Sequence, residues 1–355
     1  SILVGQTTSP TLPIIDSKEY ETMKHAGLIQ SGFNYPSGNN QTSSVNVLTP
    51  GSYNLSTAKG NGSKPSNRAP INGHTNGSPS ACSCLQTVDA TWSVVPSQAG
   101  VAPDYRNDDG STAAIPFPFN FCMYGVNYSS VYINNNGNLT FTGPWGSFTS
   151  TGFPTAGVVM VAPFWADVDT RDLGSGLVYY KINPTNLMVQ WQAVGYYGMH
   201  SDKLNTFQVI ITNGADPILP PGNNVGFCYG DMQWTTGDAS LGIAGFGGTP
   251  ATVGANKGDG VQYLQLGTFN LSGNAYDGPY GANDGVSWLD SKSFYFDVCN
   301  STNIPPIATG LNNCDTVKLC GLGDTITLNG LFLSPEISQT TTLSINLNST
   351  PGASI

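Results

Sequence analysis

The sequence predicts an all-β protein built on an antiparallel β-sandwich. Three observations carry that prediction. From about Cys82 onward, short apolar, β-branched and aromatic runs recur, each bounded by Gly, Pro or Asn turns. Helical periodicity in that stretch never extends beyond about two turns. Gly (43) and Pro (24) are abundant among the 355 residues while charged residues make up only 10%, a composition of many turns and few charged helix faces.

Residues 1–80 form a low-complexity N-terminal arm rather than a domain. Ser1–Gln6 reads either as the tail of an export signal or as a short strand. One short helix is expected next: Asp16 caps it, Glu19 takes the capping-box position, Tyr20 and Met23 share a face, and Gly27 ends it. Ser/Thr/Asn/Gly/Pro text then runs to Ser80, with Asn-Gly pairs at 61–62, 72–73 and 76–77. Such a segment buries too little apolar surface to offset its ordering entropy. It orders only by docking on its own domain, on a second copy or on a partner.

Residues 81–302 are the expected sandwich. Val131 and Ile133, then Leu139 and Phe141, flank Asn136-Gly137, a hairpin signal. The apolar run 157–165 suits a strand buried on both faces. Leu177–Ile182 and Leu187–Val194 flank Asn183-Pro184-Thr185-Asn186, a second hairpin. Further strands are expected at Phe207–Thr212, Val225–Tyr229, Leu241–Ala244, Val261–Leu266 and Phe294–Val298. Ile304-Pro305-Pro306 reads as a linker. In residues 303–355, Thr316–Leu319, Thr325–Leu333 and Thr341–Leu347 read as strands of a partial Ig-like β domain. Half a sandwich exposes strand edges, so completion by further sequence or by a strand from another molecule is expected.

Charge excludes some functions. Twelve Lys+Arg against 22 Asp+Glu leave a net charge of −10, the wrong sign for binding nucleic acid through its phosphates. No apolar stretch is long enough to span a membrane. A serine hydrolase needs a G-x-S-x-G elbow, which is absent, and a histidine, of which the sandwich holds only His200. A glycosidase needs two carboxyls about 5–9 Å apart in a cleft, and the sandwich contains no Glu. The chain is therefore expected not to be an enzyme.

Seven cysteines, Cys82, Cys84, Cys122, Cys228, Cys299, Cys314 and Cys320, lack zinc-site spacing and fit disulfides of an oxidising compartment. Cys122 and Cys228 could clamp two sheets, and Cys82 or Cys84 could tie the arm to Cys299. Cys314 and Cys320 could pair with each other or with later sequence. Asp167, Asp169 and Asp172 form the best carboxylate cluster, a candidate calcium site by oxygen-ligand spacing. The competing reading has Arg171 and backbone amides satisfying them. Asp104, Asn107, Asp108 and Asp109 before Gly110 read as a solvated acidic turn. Trp145, Tyr196, Tyr197 and Trp234 lie in or near Gly/Asn/Asp-rich text, a pattern that could stack on a polysaccharide.

Four blocks in order carry a family likeness: Phe117-Pro118-Phe119-Asn120-Phe121, then Val131 to Phe141, then Ala162-Pro163-Phe164-Trp165-Ala166-Asp167-Val168-Asp169 leading to Gly176-Leu177-Val178-Tyr179-Tyr180, then Asn205 to Ile210. Over roughly 110–300 the chain resembles the nidogen-like (NIDO) extracellular domain. That resemblance implies a non-enzymatic extracellular module of large matrix or adhesive proteins. The stretch Asn223 to Gly237 and the Cys314-Asp315-Thr316-Val317 text are similar to giant surface proteins of the Bacteroidota, the gliding-motility adhesins of the SprB type exported by the type IX system. That likeness implies the N-terminal part of a larger secreted or cell-surface adhesin; separately, strand exchange by the arm or the half-finished tail domain would make the chain a self-associating filament subunit or join it to other surface proteins. The likeness also implies candidate O-glycosylation of Thr316 and Thr325, each within an Asp-Thr-apolar triplet.

Overall fold

The computed structural model describes Lys24, residues 84–276 and 284–299, and the backbone of Ile307–Thr309 and Leu331–Leu333. Lys24 is helical, and the remainder of the expected arm helix lies outside the described residues.

Among the described residues, fourteen strands make the sandwich. In chain order they are β1 (Ser93–Val94), β2 (Ile115–Met123), β3 (Val126–Asn134), β4 (Asn138–Thr140), β5 (Met160–Trp165), β6 (Val168–Asp169) and β7 (Leu177–Ile182). They continue with β8 (Asn186–Tyr196), β9 (His200–Thr212), β10 (Val225–Tyr229), β11 (Ala251–Asn256), β12 (Tyr263–Leu271), β13 (Asp284–Gly285) and β14 (Ser293–Phe296). One sheet runs β1-β7-β8-β9-β10-β14, with β6 added on β8. The other runs β13-β12-β11-β5-β4-β3-β2. Every pairing is antiparallel except β12 with β13. Among the described residues of the sandwich, two 3-10 turns, Asp238–Ser240 and Val286–Leu289, are the helical elements.

Alternation decides what faces inward. Leu187, Val189 and Trp191 of β8, Val209 and Ile211 of β9, and Phe227 of β10 enter the core between the sheets. There they meet Ile133, Leu139, Phe164, Val253 and Leu266. The intervening Met188, Ile210 and Cys228 face outward and are covered by Cys84 and Trp92 of the entry segment. β5 is buried on both faces, as its apolar run predicts: Val161 and Phe164 enter the main core, while Met160, Ala162 and Trp165 pack on Phe153 and Val158 outside it.

Both expected hairpins form. Ile133 pairs Leu139 across the Asn136-Gly137 turn, and Ile182 pairs Leu187 across 183–186. Gly137 has φ 73° and an added Cβ would lie 1.8 Å from the Phe164 carbonyl oxygen, so the turn requires glycine. The strand expected at Leu241–Ala244 does not form. Leu241 and Ala244 take positive φ, and Leu241 and Ile243 are 78% and 83% exposed, so the segment is a turn. β11 stands in its place in the sheet, and its small residues (Ala, Thr, Gly, Asn) hide it from an apolar pattern.

The cysteine pairs differ from the expected clamp. Cys84 bonds Cys228 and Cys122 bonds Cys299. The reason is the period of two: Phe227 points inward, so Cys228 must point to the outer face, where Cys84 lies. The tie between sheets falls to Cys122, at the end of β2, and Cys299, just past β14. The Tyr124 and Gly125 amides donate to the Val298 and Cys299 carbonyls beside it, at 2.6 and 2.9 Å. Cys82, Cys314 and Cys320, with Thr316 and Thr325, lie outside the described residues. Of the C-terminal strands, Ile307–Thr309 pairs antiparallel with Leu331–Leu333.

Candidate functional site

Three asparagines at the β3–β4 turn organise one end of the sandwich. Asn134 Nδ2 donates to Asn138 Oδ1 and Thr140 Oγ1, which squares the hairpin. The Asn135 amide donates to the Gly110 carbonyl at 2.8 Å, and Asn135 Nδ2 donates to the Val168 carbonyl at 2.6 Å. Asn136 Oδ1 accepts from the Val168 amide at 3.1 Å while its Nδ2 donates to Asp109 Oδ1 at 2.7 Å. The loop 107–110 is thereby fastened to the turn between β5 and β6. Asn107 completes the fastening: its amide donates to Thr170 Oγ1, the Thr170 amide donates back to its carbonyl, and its Oδ1 caps the Gly110 amide.

This fastening brings Asp108, Asp109 and Asp167 together, all buried, with one oxygen of each within 4.8 Å of the others. Lys24 fills the space among them. Its Nζ donates to Asp108 Oδ2 at 2.7 Å, Asp109 Oδ2 at 2.9 Å and Asp167 Oδ1 at 2.9 Å. The same ammonium lies 3.9 Å from the Tyr197 ring centroid and 4.3 Å from that of Phe148, so aromatic faces close the remaining directions. Lys24 is 1% exposed. The floor is tight: a Cβ added at Gly237 would meet Asp167 Oδ2 at 2.7 Å and Tyr197 Cβ at 2.8 Å.

Burial governs the acid–base state here. With every group ionised the cage would hold a net charge of minus two, which a water-poor site does not tolerate. Loss of solvation pushes the Asp167 carboxyl up to about 8, against the pull of Lys24 and with a further push from Asp109. Loss of solvation, then the Asp109 charge, raises Asp108 well above the ordinary carboxylate range. Asp108 Oδ1 and Asp167 Oδ2 are buried without a hydrogen-bond partner, unlike Asp109, which accepts from Asn136 at one oxygen and Lys24 at the other.

The calcium trio does not converge. Asp167 faces Lys24. Asp169 forms a two-point pair with Arg171, Nε to Oδ1 at 2.9 Å and Nη2 to Oδ2 at 2.7 Å, and accepts from the Met199 amide at 3.0 Å. Asp172 accepts from Ser201 Oγ and the Gly174 amide, both at 2.7 Å, and these bonds hold its carboxyl below the usual range. Two cations of the chain therefore stand where a divalent ion would need free oxygens, and the trio does not fit Ca²⁺. The acidic turn read as solvated is instead buried at Asp108 and Asp109, because Asn107 and Thr170 draw it onto β6. Lys24 went unread as a site residue. Its signal was faint: one of twelve basic residues, within the single helix pattern of a polar arm.

The aromatic set is likewise corrected. Tyr196, Tyr197 and Trp234 are buried and offer no stacking face for a sugar. The Trp234 indole N–H donates to the Val194 carbonyl at 3.0 Å, and Tyr196 stacks on His200 with its hydroxyl donating to Asp202. Trp145 is half-buried, its amide bonded to Asn134 Oδ1. These rings close one end of the sandwich.

The sequence model described as NIDO related matches residues 84–278, more than half of the chain. The chain belongs to the NIDO-related family. Its NIDO-related domain is similar to alpha-tectorin of Mus musculus, 32% identical over 188 residues, covering 45% of this chain and 8% of that protein. Alpha-tectorin of Gallus gallus is 34% identical over 189 residues with the same coverage. Nidogen of Drosophila melanogaster is 27% identical over 164 residues, covering 38% of this chain and 12% of that protein. The chain thus spans about a tenth of the length of these relatives. No solved structure matches it. The NIDO-related domain is extracellular, in keeping with its two disulfides. Among the described residues no helix is long and apolar enough to cross a membrane.

Proposed function

We propose that the chain is a non-enzymatic structural and adhesive module of a larger extracellular surface or matrix protein. The observation that carries the reading is a set of four exposed apolar side chains on adjoining loops at one end of the sandwich. Leu173, Met199, Leu241 and Ile243 are 84%, 58%, 78% and 83% exposed. Their loops are tied together by the Ser201–Asp172 and His200–Asp238 hydrogen bonds, 2.7 and 2.8 Å. Apolar groups held at a rigid rim supply a protein contact rather than a substrate cleft. The buried acids nearby support the non-enzymatic reading, since Lys24 of the same chain occupies them.

Lys24 docking on its own sandwich favours a module within a longer chain over a subunit that polymerises by exchanging its arm. Membership of a SprB-type gliding adhesin is the narrower form of the same reading. Antiserum against residues 84–299 tests it: label on the surface of unpermeabilised source cells or in their matrix is expected. Label confined to the cell interior would refute it. Light scattering of the full chain, alone and as Leu241→Ser/Ile243→Ser, then tests the rim. A self-associated parent and a monomeric variant make the rim a contact between copies, whereas a monomeric parent removes that role from it.

A further inference from the structure

We propose that Lys24 and Asp167 condense to an isopeptide bond between Lys24 Nζ and Asp167 Cγ, promoted by Asp109 and Asp108, so that the N-terminal arm is covalently fastened to the sandwich. The cage holds what that reaction needs. A primary amine lies 2.9 Å from a carboxyl oxygen of Asp167, with neither group in contact with solvent. A short swing of the flexible lysine chain carries Nζ from that oxygen to the adjoining carbon. Holding both reactants on one folded frame replaces a bimolecular encounter by a local one, worth effective molarities on the order of 10⁵ M or more. Exclusion of water disfavours the reverse hydrolysis and the charged forms of both partners.

The roles divide by environment. Asp109 accepts hydrogen bonds at both oxygens, the arrangement of a carboxylate, and is the base that takes a proton from the Lys24 ammonium. Asp167 has one oxygen on Lys24 and the other without a partner, the arrangement of a neutral acid, and is the electrophile. Asp108 also has an oxygen without a partner and its other one 2.7 Å from Nζ, so as a neutral acid it polarises the developing oxyanion. Arg171 Nη2 lies 3.6 Å from Asp108, which makes Asp108 the less suitable electrophile. The amine attacks Cγ, the C–N bond forms and the C–OH bond breaks. The second nitrogen proton passes to the departing hydroxyl, which leaves as water, and the ammonium proton stays on Asp109. Atoms and charge balance without oxidant, cofactor or activating group.

The test is the intact mass of the recombinant full chain, reduced so that the disulfides contribute nothing. A mass below the sequence mass by one water is expected, and tandem mass spectrometry of a digest should show a branched peptide joining Lys24 to Asp167. Lys24→Arg keeps the cation and should carry the full sequence mass. Asp109→Asn is nearly isosteric, removes the base, and should leave most molecules unlinked. A folded parent at full sequence mass overturns the proposal. So does a water loss that persists in Lys24→Arg, which would mark a succinimide at an Asp-Gly pair such as Asp109-Gly110. A branch to Asp108 overturns the assignment of Asp167. The parent mass decides on its own, so a variant that fails to fold leaves the test intact.

Discussion

Lys24 and the acids around it hold charge in a place where charge is costly, and that sets how the fold responds to pH. While Asp167 is not joined to Lys24, its carboxyl binds its proton up to about pH 8 in the folded chain and releases it near 3.8 when unfolded. The folded state thus holds the extra proton, and stability falls as pH rises through that window, by up to about 1.4 kcal/mol per pH unit for each such group. Asp108 acts in the same direction. The ammonium opposes both shifts, so Lys24→Met should push them higher and widen the window. Urea unfolding at about pH 5 and about pH 9 should show a larger loss of stability in Lys24→Met than in Lys24→Arg, which keeps the cation and leaves the Asp167 carboxyl free to titrate, and equal losses would remove the cation from the balance. Asn136 is the second residue with a sharp expectation. Asn136→Ala removes the acceptor of the buried Val168 amide and a donor to Asp109, which should cost about 2–4 kcal/mol in the same assay. The acids were legible as a cluster, since Asp167, Asp169 and Asp172 stand together in the chain. Their grouping was not, because Asp108 and Asp109 arrive from about 60 residues earlier and Lys24 from further still.

Hairpins were the most legible elements. Their information is local: Asn136-Gly137 supplies the positive φ that the turn needs, and flanking alternation sets the register. Gly137→Ala tests that turn. The added methyl group meets the Phe164 carbonyl oxygen and the αL backbone penalises a Cβ, so a loss of at least about 2 kcal/mol in thermal or urea unfolding is expected. A loss of a few tenths would show that β4 can shift away from β5. Segments 241–244 and 251–256 show the limit of pattern reading. Leu241 and Ile243 alternate like a strand yet point to solvent in a turn, while Ala-Thr-Val-Gly-Ala-Asn lacks bulk but lies fully buried between β5 and β12. Position in a sheet, which depends on neighbours, outweighs the apolar content of six residues.

Across the whole molecule the disulfides divide the labour. Cys84–Cys228 holds the entry segment against the outer face of one sheet, and Cys122–Cys299 joins the far edges of the two sheets. They close sequence separations of 144 and 177 residues, so the chain-entropy model assigns each about 5 kcal/mol. Cys122→Ser/Cys299→Ser should therefore lower the Tm by about 10 °C or more in a calorimeter. Cys84→Ser/Cys228→Ser should also lower it, and should in addition free residues 84–92 to faster amide exchange while leaving β10 protected. Unchanged exchange there would show that Trp92 packing alone secures the segment.

The sequence by itself determined the all-β class, the two hairpins, the doubly buried β5, the oxidising compartment and the NIDO likeness. Each of these rests on short-range patterns: alternation, turn chemistry, cysteine spacing, or a run of words in order. Only the tertiary structure decided which cysteines pair, that three of the four candidate sugar-binding rings are buried, and that Lys24 closes a cage of Asp108, Asp109 and Asp167. Those outcomes depend on which face of a strand a residue takes and on which distant loop the β3–β4 asparagines bind. A period of two separates the two faces of a strand without naming the one that is covered, and residues more than a hundred positions apart meet only through the packing of two sheets.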